Sequence, residues 1–134
     1  MTQCSDSAPG RLPGHVVRSM RGLDRAELRA WAGRGGRRLI EVDLAGCVDK
    51  PAVLRAIAKA FSLPSWFGMN LDALYDSLAE LLEQAPTAGY VVLLERLPRT
   101  ARFDAEQRAA VLDVFRDVVE VFADAKIPLR VLYS

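Results

Sequence analysis

Apolar residues along this chain change period several times, and each change marks an element. From Arg38 to Leu44 they alternate, with Ile40, Val42 and Leu44 on one face and Glu41 and Asp43 on the other, which predicts a strand. From Lys50 to Ser62 the period becomes helical, gathering Val53, Leu54, Ile57, Ala58 and Phe61. Pro64 and Gly68 then interrupt regular structure, and Asn70 is placed to cap a helix running to about Gln84. Its buried side would be Leu71, Leu74, Leu78, Leu81 and Leu82. Tyr90 to Leu94 is an unbroken apolar run of strand length, as expected for a strand covered on both faces. Asp104, with Gln107 three residues on, opens a long helix with a broad apolar face from Val111 to Phe122, and Leu129 to Tyr133 closes the chain as a strand.

Upstream of these elements the pattern is weaker. Met1 to Gly14 reads as a disordered tail, and His15 to Arg21 as a short edge strand. A helix follows, capped by Asp24, stapled by Leu23 and Leu28, anchored by Trp31 and ended by Gly33, Gly35 and Gly36. Strands alternating with helices predict an α/β fold with a parallel sheet and right-handed crossovers.

At 134 residues the chain is long enough for one domain with its own core, and the net charge of +1 gives it no general preference for nucleic acid or membrane. The charge is unevenly spread. Residues 1–38 carry eight Arg against three acids. Between Lys59 and Arg96 there are five acids, Asp72, Asp76, Glu80, Glu83 and Glu95, and no Lys or Arg. The N-terminal arginines fit either a solvated basic helix or contacts with a polyanion. Two cysteines, Cys4 and Cys47, make neither a disulfide framework nor a zinc site and read as reduced thiols. With no apolar leader and no membrane-length run, the expectation is a cytoplasmic protein.

The acids of the helix after Asn70 share the side opposite its leucines, with Tyr75 beside them and Trp66 and Phe67 in the preceding loop. Acids four apart repel by a few tenths of a kcal/mol per pair, so a stripe without interleaved cations has two readings. It is a solvated acidic face, or it is a surface that meets a cationic partner. Enzyme chemistry finds little support. His15 is the only histidine and has no thiol or acid placed to form a nucleophilic pair, and no Gly-rich phosphate loop follows a strand. No cofactor and no metal are expected, since acids on one helix face do not wrap a cation.

The ordered combination Leu63-Pro64, an aromatic pair, Gly68, then Asn70-Leu71-Asp72-Ala73-Leu74-Tyr75-Asp76 resembles the signature of barstar-type ribonuclease inhibitors. The likeness continues through Leu112, Val114-Phe115-Arg116-Asp117 and the closing Leu132-Tyr133-Ser134. It covers about Arg38 to Ser134 and says nothing about what lies upstream, so the chain divides into a disordered tail over 1–14, a strand-helix extension over 15–37 and a barstar-like domain over 38–134. The fold it implies is a small parallel sheet of about three strands packed with helices, to which the extension would add an edge strand. The implied function is inhibition of a small basic ribonuclease, extracellular or toxin type. The chain would be a monomer forming a 1:1 complex, touching neither nucleic acid nor membrane directly. An alternative is an interaction or regulatory module for a cationic partner that is not a nuclease; a weaker one is a small enzyme with an unrecognised site.

The resemblance places Trp66, Phe67 and Gly68 in the binding loop, Asn70 and Leu71 at the helix start, and Asp72, Tyr75, Asp76 and Glu80 along the helix. Asp117 falls on the long helix reaching the same cleft, and Asp76 at the position of the main phosphate mimic. Trp66 stands where a tyrosine is familiar, and Tyr75 and Leu81 stand where tryptophans are. Ala79 and Glu80 replace a small polar pair. Residues 1–37 would then be dispensable for inhibition, apart from packing by Leu28 and Trp31.

Overall fold

The computed structural model describes residues 9–63 and 70–134. Its regular elements are β1 (His15–Ser19), α1 (Arg25–Arg34), β2 (Arg38–Asp43), α2 (Lys50–Ala60), α3 (Leu71–Glu80), β3 (Tyr90–Glu95), α4 (Ala105–Asp124) and β4 (Leu129–Tyr133). The four strands form one all-parallel sheet in the order β1-β4-β3-β2. This is the expected α/β architecture, and β1 does add an edge strand, beside β4. The helix expected to reach Gln84 stops at Glu80 and tightens into a 3₁₀ turn over Leu81–Gln84.

Caps set where the helices begin. Asn70 accepts from the Ala73 N–H (2.8 Å), Asp104 from Gln107 (3.0 Å), Asp49 from Ala52 (3.0 Å) and Asp24 from Ala26 (2.9 Å). Three helices end alike. After α1, α2 and α4 a residue turns left-handed, Gly36 (φ 68°), Ser62 (φ 55°) and Lys126 (φ 62°), and its own N–H and that of the following residue reach back to the orphan carbonyls. Gly89, between the 3₁₀ turn and β3, also has positive φ (85°), and a Cβ there would run into the Pro128 carbonyl.

Alternation along β3 divides the interior in two. Tyr90, Val92 and Leu94 join Val42, Val131 and the apolar sides of α2, α3 and α4 in the larger core. Val91 and Leu93 point the other way with Leu132, beneath Leu28 and Ala32 of α1 and beside Leu12. Every residue of β3 is buried, as its unbroken apolar run predicts.

The N-terminal segment corrects the reading of a structureless tail to Gly14. Pro9–Arg11 form a 3₁₀ turn and Leu12 is buried; Met1–Ala8 lie outside the described residues. His15 opens β1, where the edge strand was expected to begin, with its Nε2 3.0 Å from the Ile127 carbonyl. Several of the arginines that raised the polyanion reading are used within the molecule. Arg25 Nε lies 2.7 Å from Oε1 of Glu95, a 6% exposed carboxylate, though its N–H points off that line and makes no hydrogen bond. Arg29 forks onto Glu41 (Nη2 to Oε1, 2.7 Å). The guanidiniums of Arg37 and Arg130 stack on the Trp31 ring at 3.7 and 4.8 Å. Burial, and then the nearby Arg37, lower the Arg130 pKa from its ordinary value. Cys47 is a half-buried free thiol whose pKa burial raises, with Asp43 and Asp49 adding to the effect.

Candidate functional site

The site begins where α2 ends. Phe61 and Leu63 pack onto the core, Ser62 turns the chain, and Pro64–Met69 lie outside the described residues, so the expectations for Trp66, Phe67 and Gly68 stay with the sequence. Structure resumes at Asn70, whose cap fixes the first turn of α3. Leu74 and Leu78 are fully buried, and they set the rotation of the helix. The opposite side, with Asp72 and Asp76 exposed and Tyr75 half-buried, faces outward alongside α4.

Between α3 and α4 runs an open groove of 620 Å³. Leu71, Asp72, Tyr75 and Asp76 form one wall. Val114, Asp117, Glu120, Val121 and Asp124 form the other. Five carboxylates therefore line it, with no Lys, Arg or His among the lining residues. Among the described residues none of the five enters an ion pair, whereas Asp43, Glu41, Glu95 and Asp113 each hold an arginine. Val114, Val121 and the half-buried Leu71 set apolar surface among these charges.

The groove contains Leu71, Asp72, Tyr75, Asp76 and Asp117 of the residues singled out from the sequence, with Asn70 at its entrance. Glu80 lies elsewhere. It lines a second groove of 480 Å³ with Arg38, Glu41, Ser77 and Gln84, on the β2 side of α3. The reason is helical geometry: each four-residue step drifts about 40° around the axis, and two steps from Asp72 rotate Glu80 out of line. Glu120 and Asp124 enter the groove without having been singled out. Their spacing from Asp117, three and seven residues along one helix, was the available signal.

The family model for Barstar (barnase inhibitor) matches residues 37–134, about three-quarters of the chain and all of the groove. The chain belongs to the barstar family. No curated protein matches it as a relative. The barstar family is one of inhibitors rather than catalysts, and its protein partners are of the nuclease kind. The matched span leaves out the 3₁₀ turn at Pro9–Arg11, β1 and α1, which complete the second face of the sheet. No helix among the described residues is long and apolar enough to cross a membrane.

Proposed function

We propose that this chain inhibits a small basic ribonuclease by laying the α3–α4 groove, with the loop before α3, over the nuclease active site. The observation that carries the reading is the convergence of five carboxylates, none ion-paired among the described residues, in one groove within the span matched by an inhibitor family. A cleft that holds RNA phosphates is lined with cations. Carboxylates on two packed helices present negative charge to those cations without offering a phosphodiester to cleave. Each can accept a bidentate arginine, a stronger pairing than a neutral hydrogen bond. Holding them on helices packed against the core reduces the entropy lost on binding. Asp76 and Asp72 would be the central anions, Asp117 the contribution of α4, and Tyr75, Trp66 and Phe67 the aromatic contact area.

The test is affinity capture of a partner on the immobilised chain, followed by RNase assay of the captured protein with and without added chain. A stoichiometric 1:1 loss of RNase activity, relieved by Asp76→Ala, supports the reading. Capture of a cationic protein without RNase activity would replace the inhibitor by an interaction module acting through the same groove.

A further inference from the structure

Parallel pairing with β3 uses the backbone of only every second residue of β2. Arg38 donates its N–H to the Gly89 carbonyl (2.9 Å) and Leu44 to the Glu95 carbonyl (2.9 Å), in a register that sets Arg38 opposite Tyr90 and Asp43 opposite Glu95. Arg38, Ile40 and Val42 therefore turn their backbone groups toward β3, while Leu39, Glu41 and Asp43 turn theirs off the edge of the sheet. Among the described residues these outward groups meet no backbone partner. At the other edge β1 is partly blunted by its own side chain, since Arg18 Nε donates to the Ser19 carbonyl (2.9 Å). Among the described residues β2 carries no such cover.

There is room beside this edge. The 480 Å³ groove runs along Arg38, Leu39, Ile40 and Glu41, with Ser77, Glu80 and Gln84 across from them. The charge along the strand is ordered, with Arg37 and Arg38 at its start and Glu41 and Asp43 toward its end. An in-register parallel copy would set like charges side by side. An antiparallel copy sets the basic start of each strand against the acidic finish of the other. A register centred on Glu41 opposes two like carboxylates, and one centred on Ile40 does not. In the latter, Leu39 exchanges both its backbone bonds with Glu41 of the second copy, Arg37 lies opposite Asp43, and Ile40 meets Ile40.

We propose that β2 is a self-association edge, through which a second copy of this chain pairs antiparallel about a two-fold axis at Ile40 and continues the sheet. A second copy fits better than a peptide of arbitrary sequence, because the charge order of β2 is its own complement and a two-fold satisfies the same outward groups on both chains. Arg29 and Arg96 already hold Glu41 and Asp43 within the chain, so the charges across the pair select its register more than they add affinity. A dimer of this kind replaces the monomer that the barstar resemblance implies. β2 contributes no residue to the acidic groove, so each copy keeps its own, and the proposal stands or falls apart from the inhibitor reading.

The experiment sediments the whole chain from about 10 μM to about 1 mM, a range set by an edge contact much smaller than a standard interface. The mass should climb from one chain toward two. Ile40→Lys sets like charges together at the axis and should weaken self-association about tenfold or more while keeping a cooperative melt. Opposed residues of a non-hydrogen-bonded pair have Cα atoms about 4.5 Å apart, within disulfide reach. In a Cys4→Ser/Cys47→Ser background, Ile40→Cys should therefore oxidise to a covalent dimer, and Ala101→Cys, exposed in the loop before α4, should not. Three outcomes would overturn the proposal. They are a parent that remains one chain throughout, a parent that dimerises while Ile40→Cys cross-links no faster than Ala101→Cys, and a folded Ile40→Lys chain that associates as the parent does.

Discussion

At the scale of single residues, Asp76 is expected to separate binding from folding. It is exposed, on the outer side of α3, four residues from both Asp72 and Glu80. Asp76→Ala relieves two like-charge pairs worth about 0.2–0.5 kcal/mol each and adds the best helix former. The variant should melt at or slightly above the parent temperature while losing about 2–5 kcal/mol of partner binding, the usual cost of stripping one member from a buried charge pair. A melt beside a titration against the captured nuclease checks both halves. Arg25 should behave in the opposite way. Removing it leaves the buried Glu95 carboxylate without its cation, a loss of roughly 3–5 kcal/mol for a fully buried pair and nearer ~1–2 kcal/mol here, because Arg25 is half exposed. Urea unfolding of Arg25→Ala should show that loss, and the Arg25→Ala/Glu95→Gln double variant should regain most of it.

Asp43 gives a pH dependence whose sign is fixed. The Ala45 N–H donates to its Oδ1 at 3.0 Å and is the main cause holding its pKa below the ordinary value. Partial desolvation opposes this, and Arg96, 2.7 Å from Oδ2, reinforces it. A carboxyl depressed in the folded state contributes stability above its unfolded pKa and loses it as pH falls through the folded one. Asp43→Asn should therefore flatten the acid limb of the stability curve and change nothing in its pH slope near neutrality. Unfolding midpoints measured from neutral pH down to about pH 2 test this.

At the scale of elements, α1 covers one face of the sheet. The sequence suggests that residues 1–37 are dispensable for inhibition apart from packing by Leu28 and Trp31. In the structure Leu28 and Ala32 are buried against Val91, Leu93 and Leu132, all fully buried themselves. Uncovering a Val or Leu side chain costs about 1.5–3 kcal/mol, so three of them, with the loss of Arg25, approach the whole stability of a domain of this size, about 5–15 kcal/mol. A chain beginning at Arg38 is expected to lose its cooperative melt or to associate through the bared face. A truncated chain that melts cooperatively within a few degrees of the parent would sink this view of α1.

At the scale of the molecule, charge is sorted rather than abundant. The total is +1, yet the charged residues lining the groove are all acidic, while Arg25 and Arg29 of α1 pair with Glu95 and Glu41 and Arg37 stacks on Trp31. Association with a basic partner should then be steered by the local field. The Debye length falls from ~10 Å at 0.1 M salt to ~3 Å at 1 M, so the association rate should drop steeply with salt while dissociation changes less. Stopped-flow binding over that range decides it; a rate indifferent to ionic strength would remove electrostatics from the recognition.

The sequence by itself determined the elements and their inner faces. Leu74 and Leu78 of α3, and Val111 through Phe122 of α4, are buried as their spacing requires. Asn70 and Asp104 cap where a short polar side chain precedes an apolar period, and β3 is covered on both faces as a continuous apolar run must be. Along one element, periodicity records which side avoids water. It does not record which other element lies across from that side. Only the tertiary structure set α3 beside α4, bringing Glu120 and Asp124 to Asp72 and Asp76 while helical drift carried Glu80 into another groove. It likewise brought α1 over Val91 and Leu93, and Arg25 to Glu95, 70 positions away, because such pairings depend on the packing of whole faces rather than on any local pattern.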